Sequence, residues 1–201
     1  MSLVNLSFDD SLVDQLKWAR TMQVLGLKGT FYISPGRLEK RVQQVAPGGR
    51  YEVYLTEEHV NRLAAMGHCI GNHTWDHEAP ATHSGAEIED SIMRAEEWLT
   101  TRGWGGGLLA LPYGVRGGKW DDTTLQQLLT RGWQLRDVRF SATELRTLPA
   151  AWESTEWPAE GAVSPDLRYF HGNHNTTDEQ MAKFLFSVAS DVKEGKVEII
   201  L

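Results

Sequence analysis

The chain has 201 residues, of which 41% are hydrophobic and 23% are charged, a composition typical of one globular domain with a sizeable core. Its formal net charge of −7 argues against nucleic acid and anionic membranes as dominant partners, because both favour a basic surface. The single cysteine, Cys69, excludes an internal disulfide. We therefore expect a single domain over residues 1–201 that needs no oxidising compartment to fold.

The start of the chain shows no targeting signal. Residues 1–10 lack the basic start and the apolar run of a signal peptide. No stretch approaches the roughly 18 consecutive apolar residues that a membrane helix needs. The sequence is compatible with a cytoplasmic protein, a particle-associated protein and a protein exported by another route.

Short apolar runs alternate with amphipathic stretches, which is the pattern of a parallel α/β sheet or barrel. The predicted strands are residues 3–8, 28–33, 68–72, 108–111, 133–138, 167–171 and 197–201. The predicted helices are residues 11–25, 56–66, 86–102, 123–131 and 177–193. This order predicts a distorted seven-stranded (β/α) barrel, TIM-like but smaller than the standard barrel.

Two segments interrupt the alternation, residues 34–54 and residues 139–165. The first holds Pro35, Pro47 and a glycine pair, and the second is rich in proline, tryptophan and acidic residues. Long loops in a compact domain are usually functional. We interpret both segments as long loops or insertions that shape a substrate cleft.

Polar residues follow the strands where an α/β barrel carries its chemistry, at the C-terminal ends. They are Asp9 and Asp10 after the first strand, His73, Thr74, Asp76 and His77 after the third, Pro112, Tyr113 and Gly114 after the fourth, and His171, Asn173 and His174 at the sixth. Two imidazoles and a carboxylate can hold a zinc-like ion and leave a position open for water or substrate. The pattern therefore predicts a hydrolytic metal site.

Each half of this pattern also has a simpler interpretation. His73 and His77 are four residues apart, so a helical turn would point both at one centre, but such pairs also occur as surface or capping residues. Asp9 and Asp10 could simply begin the next helix as N-cap residues. The presence of both features at strand ends in one chain favours the metal site.

These segments resemble the motifs of the polysaccharide deacetylases with NodB homology, carbohydrate esterase family four. Ser7-Phe8-Asp9-Asp10 is similar to the family motif T-F-D-D, and residues 68–77 are similar to the motif G-H-E-I-G-N-H-[ST]-x-x-H. Thr30-Phe31-Tyr32 resembles A-T-F-F, Leu111-Pro112-Tyr113-Gly114 resembles the end of R-x-P-x-G, and Tyr169-Phe170-His171 resembles L-x-H. The resemblance covers almost the whole chain.

The resemblance implies a hydrolase that removes N- or O-linked acetyl groups from an oligo- or polysaccharide. Asp10, His73 and His77 would bind a divalent metal, for which zinc fits best and cobalt, nickel and manganese are alternatives. The ion would polarise the acetyl carbonyl and a water molecule. Asp9 would be the general base, and His171 would protonate the leaving group as general acid.

The resemblance also implies residues that contact the substrate. The backbone N–H of Tyr113 would stabilise the oxyanion, and Pro112 and Tyr113 would line the substrate site. Trp75, inside the predicted metal loop, is the best candidate for a wall that stacks on a sugar ring. Four further tryptophans in or near loops could stack in the same way, although core packing is the default for each: Trp104, Trp120, Trp152 and Trp157.

The chain departs from the family pattern at two motifs. Ala110 stands where the third motif has an arginine that orients the base, and Arg116 could supply that charge or be an ordinary surface arginine. The fourth motif, D-x-x-D-W, is missing, and Asp137 is the nearest acid that could support His171. These departures leave three hypotheses: an active deacetylase with altered tuning, a non-catalytic carbohydrate-binding barrel, and an amidohydrolase of a small cyclic amide.

Three further histidines have simpler expected roles. His68 belongs to the second motif but precedes its strand, at the end of the sheet opposite the predicted site, so we expect a structural role. His59 and His83 lie in helical or loop sequence and are predicted to be solvated.

Overall fold

The structure is a computed structural model that describes residues 2–43, 51–79, 82–113, 122–136, 167–172 and 178–200. The strands are β1 (Ser2–Phe8), β2 (Thr30–Ile33), β3 (Arg41–Gln43), β4 (Tyr51–Val53), β5 (Cys69–Asn72), β6 (Leu108–Ala110), β7 (Gln134–Arg136), β8 (Leu167–Gly172) and β9 (Val197–Ile200). The α-helices are α1 (Gln15–Val24), α2 (Glu57–Ala65), α3 (Gly85–Thr100), α4 (Asp122–Thr130) and α5 (Asp178–Lys193), and η1 (Pro35–Arg37) is a short 3-10 helix.

One parallel sheet organises the fold. Its strand order is β7-β6-β5-β2-β1-β8, and β9 also pairs with β1. All pairings in this sheet are parallel, so the parallel α/β fold predicted from the alternation is confirmed. Closure into a seven-stranded barrel stays a prediction, because no pairing within the described ranges joins β7 to β8.

The predicted strands overlap the seven strands of this sheet, and the predicted helices overlap α1 to α5. The first helix begins later than predicted. Asp10 and Ser11 have φ angles of 72° and 58°, and Leu12 forms a bridge with Tyr54. Left-handed residues cannot start a right-handed helix, so α1 begins only at Gln15.

The first predicted loop, residues 34–54, is more structured than expected. It contains η1 and an antiparallel hairpin of β3 with β4, which the sequence analysis did not predict. Tyr54, the last residue of this segment, is buried, so the segment is not exposed over its whole length. The second predicted loop, residues 139–165, lies outside the described residues.

Two helices start at capping boxes. At α2 the Thr56 hydroxyl accepts a hydrogen bond from the His59 N–H (3.2 Å), while the Thr56 N–H donates to His59 Nδ1 (3.1 Å). Ser84 and Glu87 make the equivalent exchange at α3. The prediction that His59 is merely solvated is therefore wrong, because its ring satisfies a backbone donor at the start of α2.

The core lies where the helices cover the sheet. All four residues of β2 are buried, as expected of a parallel strand with both faces covered. Phe8 of β1 stacks on Phe31 of β2 with ring centroids 4.7 Å apart, and both side chains are fully buried. A second cluster joins Ile92 of α3 to Leu109 of β6 and Leu135 of β7. This packing fixes the strands whose C-terminal ends carry the candidate site.

His68 lies at the opposite end of the sheet, and its contacts confirm a structural role. The Gly29 N–H donates to His68 Nδ1 (3.2 Å), so the proton is on Nε2, which lies 3.4 Å from the Ala19 carbonyl oxygen. The ring also packs edge-on against Phe31, with centroids 5.1 Å apart. Burial lowers the pKa of His68 to about 4, so the residue is neutral in the folded protein at neutral pH.

We expect this neutral histidine to make folding pH-dependent. The unfolded chain takes up a proton at His68 near pH 6.5, whereas folded His68 does so only near pH 4. The contribution of neutral His68 to the free energy of unfolding is therefore fully present above pH 6.5. It decreases as the pH falls, by about 2 kcal/mol at pH 5.

Urea unfolding of the metal-stripped protein at pH 7.5 and pH 5 would measure this decrease. His68→Gln, which cannot titrate, is expected to lose about 2 kcal/mol less than the wild type over the same interval. An equal loss in both proteins would show that another group causes the pH dependence.

Candidate metal centre

Asp10, His73 and His77 come together at the C-terminal edge of the sheet. Asp10 follows β1, the two histidines follow β5, and β2 lies between these strands. One ligand atom from each side chain lies within 4.8 Å of the other two. Asp10 Oδ1 is 3.0 Å from His77 Nε2 and 3.4 Å from His73 Nε2. These atoms are close enough to share a single ion.

The loop that brings the two histidines together, residues 73–78, is called the metal loop below. It does not form the helical turn that their spacing suggested. Instead, Thr74 and His77 adopt left-handed conformations, with φ angles of 62° and 59°. The two imidazole rings consequently meet edge to face, with centroids 4.8 Å apart.

Unusual backbone geometry is concentrated around this cluster. Within the described ranges, the non-glycine residues with positive φ are Asp10, Ser11, Glu39, Thr74, His77 and Tyr113. All but Glu39 lie in the loops that follow β1, β5 and β6. Each such residue costs about 1 kcal/mol or more, so these conformations persist only where surrounding contacts impose them.

A backbone carbonyl orients His73, whose side chain is only 2% exposed. His73 Nδ1 donates a hydrogen bond to the Ala110 carbonyl oxygen (2.8 Å) at the end of β6. In the neutral tautomer that this bond selects, the Nε2 lone pair points towards the Asp10 carboxylate. A lone pair and a carboxylate that face each other are both satisfied by a cation between them. The donor set therefore fits a divalent ion with three protein ligands and an open position.

The protonation states also suit metal binding. Burial alone would raise the pKa of Asp10, but the neighbouring imidazoles of His73 and His77 outweigh it and hold the pKa well below its usual range. Burial lowers the pKa of His77, and the opposing effect of Asp10 does not reverse this. Asp10 is thus ionised and His77 is neutral at neutral pH, the forms in which they act as ligands.

Glu78 and Ser91 hold the three residues between the histidines. Glu78 Oε2 accepts a hydrogen bond from the Thr74 hydroxyl (2.7 Å), and Glu78 Oε1 accepts one from the Asp76 N–H (3.1 Å). Ser91 Oγ, on α3, accepts one from the Trp75 N–H (2.7 Å). Neither residue was predicted from the sequence, and Ser91 comes close to the metal loop only through the packing of α3.

Asn72, the last residue of β5, links the metal loop to α3. Its side-chain oxygen accepts a hydrogen bond from the Thr74 N–H (2.9 Å). Its Nδ2 donates to the Ile92 carbonyl oxygen (2.9 Å) and to Glu96 Oε2 (3.2 Å). The other oxygen of Glu96 accepts the N–H of Gly106 (2.9 Å), in the turn that leads into β6. The loop and the strand that orients His73 are therefore tied to the same helix.

A serine pair connects the loops after β1, β2 and β5. Ser11 Oγ accepts a hydrogen bond from the Ser34 N–H (2.9 Å), and the Ser34 hydroxyl donates to the His73 carbonyl oxygen (2.8 Å). Both serines are fully buried. This chain of hydrogen bonds fixes the backbone beside Asp10 relative to the backbone of His73.

The structure places the other predicted site residues as follows. Asp9 is buried beside Asp10, and the Gln15 side chain donates to its carbonyl oxygen. His171 pairs in register with Ser7, so its backbone lies at the same end of the sheet as Asp9. Tyr113, after β6, is 48% exposed, and its ring meets that of His77 edge-on with centroids 4.7 Å apart.

Trp75 is packed more tightly than a sugar-stacking wall requires. The Arg94 guanidinium lies over its ring, 3.8 Å from the centroid. The Gly36 N–H donates to the Trp75 carbonyl oxygen (2.7 Å), and a Cβ at Gly36 would lie 2.5 Å from the indole nitrogen. Stacking of Trp75 on a sugar stays a prediction.

Several further predictions concern other tryptophans or residues beyond the described ranges. Trp104 packs against the core beside Trp98, with ring centroids 5.8 Å apart. The residues named in the predictions that lie outside the described part of the chain are Gly114, Arg116, Trp120, Asp137, Trp152, Trp157, Asn173 and His174.

Comparison with protein families gives a match to one family model. The model described as polysaccharide deacetylase matches residues 2–135. This range contains Asp9, Asp10, both histidines of the metal loop and Tyr113. No curated protein sequence matches the chain.

Solved structures share the fold at low sequence identity. A family 4 carbohydrate esterase from Streptomyces lividans is 11% identical, with a TM-score of 0.60 over 100% of this chain and 92% of its own. A polysaccharide deacetylase from Bacillus cereus is 15% identical, with a TM-score of 0.63 over 98% and 90%. A peptidoglycan N-acetylglucosamine deacetylase, Bc1960, is 17% identical, with a TM-score of 0.61 over 98% and 84%.

We expect removal of either histidine to weaken zinc binding by more than about 100-fold, because each supplies one of three ligand atoms. Isothermal titration of zinc into metal-stripped His73→Ala and His77→Ala would measure the loss. His83→Ala, which removes an exposed histidine outside the cluster, is the matched control and should bind like the wild type. Equal weakening in all three variants would contradict the assignment.

Glu78→Ala is expected to lower zinc affinity by about 10- to 100-fold, because the metal loop loses the acceptor of the Thr74 and Asp76 hydrogen bonds. Glu78→Gln retains one oxygen and should fall between this variant and the wild type. Glu97→Ala removes an exposed carboxylate from α3 and serves as control. If Glu78→Ala and Glu97→Ala bind zinc equally well, Glu78 does not organise the metal loop.

Proposed function

Because the chain belongs to the polysaccharide deacetylase family, we propose that it is a metal-dependent hydrolase that removes N- or O-linked acetyl groups from a carbohydrate. The observation that carries this proposal is the convergence of Asp10, His73 and His77, whose ligand atoms lie within 4.8 Å of one another. The proposal includes a single domain over residues 1–201 and a distorted seven-stranded barrel.

The three side chains would hold one divalent ion. Two imidazole nitrogens and a carboxylate oxygen suit zinc, and cobalt, nickel and manganese are alternatives with the same donors. When bound, the ion would supply Lewis-acid polarisation of the acetyl carbonyl and of water. Support comes from His73, whose Nε2 is directed towards Asp10 by the hydrogen bond to the Ala110 carbonyl.

Two residues on paired strands are proposed to handle protons. Asp9 would take the proton from the attacking water on its carboxylate, and His171 would donate a proton to the departing nitrogen or oxygen. The register Ser7↔His171 supports this division, because it puts both residues at the same end of the sheet. The backbone N–H of Tyr113 would donate to the oxyanion, and Pro112, Tyr113 and Trp75 would line the substrate site.

An acetylated oligo- or polysaccharide is the proposed substrate. Two of the similar structures are a peptidoglycan N-acetylglucosamine deacetylase and a carbohydrate esterase. The proposal therefore includes both N-acetyl and O-acetyl groups. We propose neither nucleic acid nor a membrane as partner. Among the helices that the structure describes, none combines the length and apolar character that a bilayer span needs.

Acetate release from N-acetylated oligosaccharides and acetylated xylan, with zinc or cobalt restored to stripped protein, would test the proposal. Asp9→Asn is expected to keep zinc affinity and lose at least about 100-fold in kcat, because it removes the proton acceptor. His73→Ala should lose both zinc binding and turnover.

His83→Ala should match the wild type in that assay. Stoichiometric zinc binding without acetate release from any substrate would contradict the deacetylase proposal. It would favour instead a carbohydrate-binding barrel or an amidohydrolase of a small cyclic amide.

A further inference from the structure

Arg37 lies beside the candidate metal centre but has no role in the proposed chemistry. It ends η1, which follows β2, and β2 lies between the strand that leads to Asp10 and the strand that leads to His73. The Gly36 N–H bonds to the Trp75 carbonyl oxygen (2.7 Å), which attaches η1 to the metal loop. Arg37 therefore stands on the central one of the three loops that build the site.

The guanidinium of Arg37 is held in place by an aromatic ring. Its central carbon is 5.3 Å from the centroid of Tyr54, a residue that is only 4% exposed. Tyr54 is itself fixed by its bridge to Leu12, just after Asp10, and by a hydrogen bond from its hydroxyl to Glu52 (2.7 Å). A half-buried arginine stacked in this way loses less entropy when it binds a ligand than a free surface side chain does.

The charge of Arg37 also acts on Tyr54. Burial raises the pKa of Tyr54 to about 12, while the Arg37 charge acts in the opposite direction. This effect agrees with the position of the guanidinium over the Tyr54 ring.

Arg37 also differs from the next cation along the same loop. Lys40 Nζ forms an ion pair with Asp76 Oδ1 at 3.0 Å. Within the part of the chain that the structure describes, no carboxylate lies within ion-pair distance of the Arg37 guanidinium. A half-buried cation without a protein anion, in a chain of net charge −7, has its donors available for an external anion.

We propose that Arg37 forms an anion subsite beside the metal centre, which recognises an oxyanion substituent, a carboxylate or a phosphate, on the acetylated saccharide. This inference rests on the proposed function for the identity of the ligand as a saccharide. The planar guanidinium can donate two parallel hydrogen bonds to either oxyanion, which neutral sugars cannot accept with the same strength. Arg37 would thereby select acidic over neutral acetylated sugars.

Binding of matched saccharides to the zinc-loaded full chain would test this subsite. The ligands are the disaccharide of N-acetylglucosamine and N-acetylmuramic acid, its methyl ester, di-N-acetylchitobiose, and the 6-phosphate of that chitobiose. The free acid tests for recognition of a carboxylate, and its methyl ester is the neutral counterpart. The phosphorylated chitobiose tests for recognition of a phosphate, and the unmodified chitobiose is its neutral counterpart. Titration calorimetry gives Kd for each, and acetate release gives KM and kcat.

Arg37→Gln is expected to raise Kd and KM for at least one anionic ligand about tenfold, with the neutral ligands and kcat unchanged. Arg37→Lys keeps the charge but not the paired donors, and should recover only part of the affinity. Arg20→Gln removes an exposed arginine of α1 and is the matched control. These comparisons separate recognition from a general loss of fold, which would weaken all ligands together.

The subsite is refuted if the wild type binds neither anionic sugar more tightly than its neutral counterpart, if it binds none of the saccharides, or if Arg37→Gln and Arg20→Gln behave alike. An Arg37-dependent preference for an anionic sugar without acetate release would support the subsite and refute the deacetylase proposal. Acetate release from acidic and neutral sugars with equal KM would support the deacetylase proposal and refute the subsite.

Discussion

The hydrogen bond from His73 to the carbonyl of Ala110 is the contact on which the candidate centre depends. It orients the most buried of the three potential ligands, and it does so with a main-chain atom of the neighbouring strand. β5 and β6 pair through Asn72 and Leu109, so the sheet itself positions the acceptor. Because the acceptor is a backbone carbonyl, the bond does not require a particular side-chain chemistry at position 110, which is a fully buried alanine. The alanine found there, in place of the family arginine, leaves the orientation of His73 intact.

The loops around that bond combine strained backbone with dense hydrogen bonding. Left-handed residues after β1 and β5 would be unfavourable in isolated segments. Here Asn72 and Glu78 accept backbone or hydroxyl donors of the metal loop, and the Ser11–Ser34 pair connects it to the neighbouring loops. A site built in this way is held rigid by groups that never contact a ligand, which is the arrangement that a preorganised metal centre requires.

Sequence reasoning identified the parts of this site that follow from periodicity and strand direction. Parallel strands bring their C-terminal ends to one edge, so Asp10 and the His73/His77 pair could be predicted as neighbours. The β3–β4 hairpin, the contact of Ser91 with the metal loop and the stacking of Arg37 on Tyr54 could not. Each depends on which distant segments pack together, and no local pattern records that choice. The predicted helical turn between the histidines failed for the same reason, because tertiary hydrogen bonds override the local preference.

The pairing of the first strand with the last ones has a consequence for biosynthesis. β1 carries Asp10 at its end, yet it pairs with β8 and β9, including the register Ser2↔Val197. During translation, the segments that supply all three candidate ligands leave the ribosome long before these partners exist. One edge of β1 therefore stays unpaired in the nascent chain until β8 has been synthesised, a state open to wrong strand pairing and to chaperone capture.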